Sequence, residues 1–340
     1  MKLLIVGSNE VWSLERFYVK HLESAGVEVN ICPVQSLFYA YYNKGLINKV
    51  LFKAGLSGIY RKIGDALKEK VEDWRPDVLW VFKGMELSPA LLSWIKSKNI
   101  RIVNYNPDNP FLFSGSGSGN KNITDSIGLY DHHFTYDQSI RQRIIQDFNV
   151  PTSILPFGFE IPDGIYEECV KQQEVKKLSF LGNPDSARAA FIQQLANHFP
   201  IDVYGNDWGK FVSHKNISIC SPVYKEGFWK ALYRYRIQLN LMRPHNPNSH
   251  NMRSFEVPGI GGIGLFPYTD DHATYFEEGK EIFLYRNMEE CIKWCNVLLN
   301  MSDKEAENIR KAARLKSEQA GYSYQGRTLQ ALTEINKLLA

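Results

Sequence analysis

The sequence predicts an α/β protein built as two doubly wound halves. Three observations carry this. Short apolar runs alternate with helical stretches from residue 3 to about 155, the pattern of parallel strands joined by helices. The alternation breaks over 156–176, at Pro156, Gly158, Pro162 and Gly164. It then restarts and runs to the chain's end, giving two halves of roughly 150 residues each, an ordinary domain size.

The first half reads as strands at 3–6, 27–31, 77–82, 101–104, 133–136 and 152–155. Between them lie helices at 11–25, closed by Gly26, and at 88–98, with Pro89 in the first turn where its missing N–H costs nothing. A long helical region covers 34–73, and another helix 139–148. The second half reads as strands at 177–181, 201–204, 237–242 and 263–266. Helices are expected at 186–198, 225–235, 287–299, 302–318 and 324–339. The domain division is accordingly 1–157 and 158–323, with the last helix, about 324–340, packing back on the first domain. Two such halves would face each other across a cleft at the carboxyl ends of their sheets, where open α/β sheets bind ligands.

Composition narrows the class. Of 340 residues, 44% are hydrophobic and 23% charged, ordinary for a soluble globular protein. A net charge of +3 argues against nucleic acid as a partner. The five cysteines are odd in number and scattered, which suits a reducing compartment. Cys291 and Cys295 fall on one helix face, with no second pair or His cluster to complete a metal site. The apolar start at Met1–Gly7 is too short for a signal peptide, and no run approaches the roughly 18 residues that span a bilayer. The expectation is a cytoplasmic protein, peripheral at most to the inner membrane face.

The densest segment is 251–286. Gly259, Gly261 and Gly264 satisfy a G-x-G-x-x-G pattern. A dinucleotide fingerprint needs a strand before its glycines and a helix after them. Here the order is helix, glycine turn, strand, so the fingerprint is excluded. Upstream, Arg253 and Glu256 share a helix face. They form either a surface ion pair or a site in which Arg253 meets a diphosphate and Glu256 accepts from ribose hydroxyls. The polar run 243–251, which includes Asn248, follows the strand at 237–242 and lies at the sheet's carboxyl edge. Gly182 and Asn183 form a tight strand-to-helix turn, with Arg188 in the helix's first turn. That arrangement suits an anion at a helix N-terminus, or simply a well-capped helix.

In the first half, Asp108 and Asn109 stand in a proline-stiffened loop after the strand at 101–104. Asp108 is the general-base candidate there, against an Asx-Pro turn. His133, beside His132 at the start of a strand, is a second catalytic candidate if it faces the cleft, against a satisfied structural histidine. The Ser-Gly run at 114–119 is either a lid or a passive linker. Residues 44–70 hold seven basic and two acidic side chains, a net of +5, interleaved with apolar ones. That suits an anionic membrane surface or merely a solvated helix face.

With these residues in place, the chain resembles the CgeB-like, spore-maturation group of GT-B glycosyltransferases. Asp131–Asp137 (DHHFTYD), Leu155–Gly158 (LPFG), Leu178–Asn183 (LSFLGN) with Arg188, and Tyr204–Trp208 (YGNDW) carry the similarity. Gln238-Leu239-Asn240 fits as well. The segment Asn251–Arg286, with Phe276, Gly279 and Glu281, is the strongest match. The resemblance implies a GT-B fold and transfer of a sugar from a UDP- or GDP-linked donor to a glycan, lipid-linked saccharide or protein. With it, Gly182, Asn183, Arg188, Asn248, Arg253, Glu256 and Gly261 are expected at the donor, while the first half's own chemistry offers Asp108, Asn109 and His133 for the catalytic, acceptor-facing side. It implies no cofactor and no metal, and a retaining outcome. Glycogen-synthase-like relatives have two Glu separated by seven residues; Glu256 matches the second, but Asn248 stands where the first would be. A sugar-nucleotide epimerase and a non-catalytic nucleotide-sugar binding protein are the alternatives on the same fold.

Overall fold

The structure is a computed structural model that describes residues 1–11, 13–113, 119–243 and 248–340. Most of the Ser-Gly run and part of the polar run at 243–251 lie outside the described residues. The chain divides into two compact units, Met1–Pro156 with Tyr324–Ala340, and Phe157–Ser323.

The N-terminal unit runs β1 (Lys2–Val6), α1 (Leu14–Ser24), β2 (Glu28–Cys32), α2 (Val34–Tyr42), α3 (Leu46–Lys53), α4 (Ile59–Trp74), β3 (Val78–Phe82), α5 (Pro89–Lys96), β4 (Arg101–Asn106), α6 (Lys121–Ser126), β5 (His132–Thr135), α7 (Gln138–Phe148) and β6 (Thr152–Ile154). Its strands order as β2-β1-β3-β4-β5-β6, and these neighbours all pair in parallel. Buried on both faces, the central strands read as continuous apolar runs, Leu3–Val6 and Val78–Phe82. The long helical region expected at 34–73 is three helices, interrupted at Gly45 and Gly58.

The C-terminal unit runs α8 (Ile165–Val170), β7 (Val175–Leu181), α9 (Ser186–Ala196), β8 (Ile201–Tyr204), β9 (Ile217–Cys220), α10 (Lys225–Arg234), β10 (Tyr235–Leu239), α11 (Arg253–Ile260), β11 (Gly264–Pro267), α12 (Asp270–Tyr275), β12 (Phe283–Tyr285), α13 (Met288–Asn300) and α14 (Asp303–Gln319). The strand order is β12-β11-β10-β7-β8-β9, again parallel throughout. Helix α15 (Tyr324–Leu339) then returns to the N-terminal unit. There Tyr324 stacks on Phe17 of α1 at 4.9 Å. The short elements α8, β9, α12 and β12 were not expected from the sequence.

Helix starts follow local chemistry. Asp137, Asp185 and Asn287 each accept a backbone N–H in the first turn of α7, α9 and α13. Ser302 and Glu305 form a capping box at α14. Both sheets reverse their build direction next to their first strand, between β1 and β3 and between β7 and β10. The carboxyl ends of those pairs are the switch points at which doubly wound sheets bind ligands.

Candidate functional site

At the C-terminal unit's switch point, the turn after β7 is bound to the turn after β8. The Asn206 N–H donates to Asn183 Oδ1 at 2.9 Å, and Trp208 Nε1 donates to the Gly182 carbonyl at 2.9 Å. Gly205 makes this approach possible: its φ is +155°, and a Cβ there would lie 2.4 Å from the Gly182 oxygen.

Three guanidinium groups converge beside this turn. Arg253, at the start of α11, donates from Nε to the Leu181 carbonyl at 3.2 Å, pairs with Glu256 and lies 4.3 Å over the Phe228 ring. Arg243 pairs with Asp185 at 3.0 Å. Arg188 is buried, donating to the Leu241 carbonyl at 2.6 Å and the Asn183 carbonyl at 3.1 Å. Burial, helped by Arg243, lowers Arg188 to about 10. Three cations thus share two carboxylates, and an anion placed here would relieve their mutual repulsion. Glu256 is buried on α11, and burial raises its carboxyl although Arg253 opposes the shift.

Two donor candidates need correcting. Arg188 is a brace: its guanidinium is turned inward onto backbone carbonyls, joining the turn after β7 to the end of β10. Gly261 caps the far end of α11 with φ +81°, and its carbonyl accepts from Arg310 at 3.1 Å. Eight residues of helix at 1.5 Å each put it about 12 Å from Arg253, at the sheet's amino edge. Asn248 is exposed.

A buried polar network that the sequence reading missed fixes the segment ahead of α11. Asn251 Nδ2 donates to Asn240 Oδ1 at 2.8 Å, and Asn240 Nδ2 donates to Ser254 Oγ at 3.2 Å. His272 Nδ1 donates to the Pro267 carbonyl at 2.8 Å, which leaves Nε2 to accept from Ser254 Oγ at 2.7 Å. His250 accepts the Phe157 N–H on Nε2 and lies 2.7 Å from Asp271 on Nδ1. Burial pushes Asp271 up, but the hydrogen bonds from His250 and Ser249 outweigh it and hold the carboxyl low. The available signal was polar residues at interior positions: Asn240 beside an apolar strand, and Ser254 on the side of α11 opposite Glu256.

In the N-terminal unit, Asp108 follows β4 and pairs with Lys83 at 2.6 Å; its N–H donates to Asn106 Oδ1. Asn109 Oδ1 accepts from the Phe111 N–H at 2.9 Å. His133 is not placed for catalysis. It is buried on β5, its Nε2–H donates to the Ile127 carbonyl at 2.9 Å, and burial lowers it to about 4. The cavity beside it holds about 10 Å³, room for one water and no substrate.

The switch point between β1 and β3 adds Glu15 and Glu86, both buried and neither foreseen. Glu15 accepts the Ser8 N–H at 2.6 Å. Among the described residues Glu86 Oε2 has no hydrogen-bond partner, and burial raises its carboxyl to about 7. The unfolded carboxyl ionises near 4.5. Between those values the folded chain holds more protons than the unfolded one, so stability falls as pH rises through the window and levels off above it. Glu86→Gln removes that loss. Its advantage over wild type is expected to vanish near pH 4.5 and to reach roughly 3 kcal/mol above pH 7. Urea titrations of both proteins across this range check it; a difference independent of pH would exclude the titration.

The geometry and topology define a two-unit α/β protein of the GT-B fold. Solved structures of the same fold cover the whole chain. Sucrose-phosphate synthase from Thermosynechococcus elongatus aligns with TM-score 0.70 at 8% identity, over 100% of this chain and 99% of its own. A UDP-forming trehalose-phosphate synthase from Burkholderia xenovorans gives 0.66 at 13%, over 100% of both chains. Anabaena HepE, solved with UDP and glucose, gives 0.63 at 11%, over 99% and 100%. Residues 188–333 match a family model described as Glycosyl transferase-like. That signature spans the arginine cluster from Arg188 onward and the whole of α11. No curated protein matches the sequence. Among the described residues, no group of three His, Cys, Asp or Glu is gathered to hold a metal.

Proposed function

We propose that the protein is a glycosyltransferase that takes a sugar from a UDP- or GDP-linked donor and passes it to a glycan, lipid-linked saccharide or protein. The observation that carries this reading is the cluster of Arg188, Arg243 and Arg253 at the β7–β10 switch point, with Glu256 on the same helix turn as Arg253. Arg253 and Arg243 would meet the donor diphosphate, while Arg188 holds the turn beneath it. Glu256 would turn from Arg253 to accept from ribose hydroxyls. The family match over this segment and the UDP-bound HepE neighbour support the choice of donor.

As the glycosidic bond breaks, charge develops on the departing diphosphate. The arginines and the α11 N-terminus would neutralise it, with no metal required in this reading. Asp108 and Asn109, with Lys83 beside them, are assigned to the acceptor. Retention at the anomeric carbon is the proposed outcome, from the position Glu256 shares with the glycogen-synthase-like pattern.

A thermal-shift panel of nucleotide sugars tests the donor. The right one at 100 times its dissociation constant adds about 2.7 kcal/mol. Proton NMR of that donor with candidate acceptors then follows the product and its anomeric coupling. Conversion of the donor to an epimer with no acceptor present would assign an epimerase. Binding without release of nucleoside diphosphate to any acceptor would assign a binding protein.

A further inference from the structure

Helix α3 packs with its apolar face outward. Leu46, Ile47 and Val50 are 77%, 75% and 56% exposed, Leu51 is exposed beside them, and Leu56 just beyond the helix is 74% exposed. At 3.6 residues per turn the four helical side chains fall within an arc of about 140°. The opposite side is anchored: Phe52 meets Phe38 at 4.9 Å, Tyr60 at 5.6 Å and Tyr42 at 5.8 Å. The helix is therefore held to its unit by one aromatic side chain while a contiguous apolar face is left to water. Soluble surfaces scatter such side chains singly.

The charge around this face is one-sided. Between Glu28 and Asp65 the sequence has no acidic residue, but it has Lys44, Lys49, Lys53, Arg61 and Lys62: five minus zero, or +5. Lys44 and Lys53 are exposed at the two ends of α3, and Lys49 sits at its border over the Tyr42 ring at 5.3 Å. No helix among the described residues is long and apolar enough to cross a membrane.

We propose that α3 is a docking face for an anionic lipid surface. The apolar arc enters the boundary between headgroups and acyl chains, and the flanking lysines meet the headgroup phosphates. A second copy of the chain is the poorer occupant, because a symmetric pairing would set one acid-free +5 segment against another. A soluble phosphate would leave the apolar arc unused. The face belongs to the N-terminal unit and does not depend on the donor-site reading.

Co-sedimentation of the full chain with phosphatidylcholine vesicles, with and without phosphatidylglycerol, tests this. Wild type is expected to pellet with the phosphatidylglycerol vesicles and to be released by salt. Ile47→Ser with Val50→Ser is expected to weaken partitioning roughly ten-fold or more. Lys44→Glu with Lys53→Glu is expected to abolish the preference for anionic lipid. Leu329→Ser, on α15, removes an equally exposed apolar side chain and should pellet as wild type does. Circular dichroism melts of every variant close to the wild-type midpoint are expected, since more than half of each apolar side chain replaced lies in water. The proposal is overturned if wild type stays in the supernatant, if the serine variant binds like wild type, or if ultracentrifugation shows a dimer that the serine variant dissolves.

Discussion

Glu256→Ala is expected to weaken binding of the nucleotide-sugar donor by about 3 kcal/mol, roughly a hundred-fold in Kd, while the chain stays folded. The size follows from the role proposed: a carboxylate accepting two ribose hydroxyls makes charge-assisted hydrogen bonds, each worth about 1.5–3 kcal/mol. The intact fold follows from what surrounds the group. Burial already raises the Glu256 carboxyl, so its charged form is a burden on the folded state at neutral pH. Arg253 keeps the Leu181 carbonyl and the Phe228 ring when Glu256 is gone. Calorimetric titration with UDP and GDP, beside a melting curve, separates the two effects. Unchanged affinity in a folded variant would remove Glu256 from the donor site.

The largest stability effect is expected at Glu174. Its Oε2 accepts from Arg236 Nε at 2.8 Å, and its Oε1 accepts from Arg310 Nη2 at 2.8 Å. Arg236 is fully buried, and Arg310 nearly so. Their remaining N–H groups donate to the carbonyls of Leu298, Met301, Tyr233, Tyr235 and Gly261, and Arg236 Nη2 also donates to the exposed Asp303 carboxylate at 2.7 Å. Burial alone would raise the Glu174 carboxyl, but the two arginines outweigh it and hold it below its ordinary 4.5. Glu174→Ala takes one carboxylate from two buried cations, a change that costs about 3–5 kcal/mol in buried pairs. In a protein of this size that lowers Tm by order of 10 °C. The wild-type contribution is present above pH 4.5 and is lost as acid protonates the folded carboxyl. A Tm within a degree or two of wild type at neutral pH would show that water replaces the carboxylate. Because Arg310 also holds the Gly261 carbonyl, the same cluster fixes the far end of the helix that carries Arg253 and Glu256.

The fold class was legible because parallel strands buried on both faces leave unbroken apolar runs, as at Leu3–Val6 and Val78–Phe82. The order of helix, glycine turn and strand around Gly261 was legible for a similar reason: Pro267 and the glycines punctuate it locally. Elements of three to six residues, such as β12 and α8, were not legible, since so few positions establish no period. The single helical region at 34–73 concealed three helices. Its apolar spacing continues through Gly45 and Gly58, and only the packing of Phe52 against α2 and α4 turns α3 around.

Sequence alone therefore determined the alternation, the placing of the polar turns at the carboxyl edges, and the residue types able to bind a diphosphate sugar. Those properties are local, written in periodicity and turn chemistry. Tertiary structure alone decided which groups are available. It turned Arg188 inward onto Leu241, buried His133 against Ile127, and set Gly261 at the wrong end of its helix. It also joined Asn240, Ser254 and His272 into one network and, among the described residues, left Glu86 Oε2 without a hydrogen-bond partner. The physical reason is that a side chain's free hydrogen-bonding capacity depends on neighbours distant in sequence. Arg188 meets Leu241 only because β7 and β10 lie side by side, and no spacing along the chain records that.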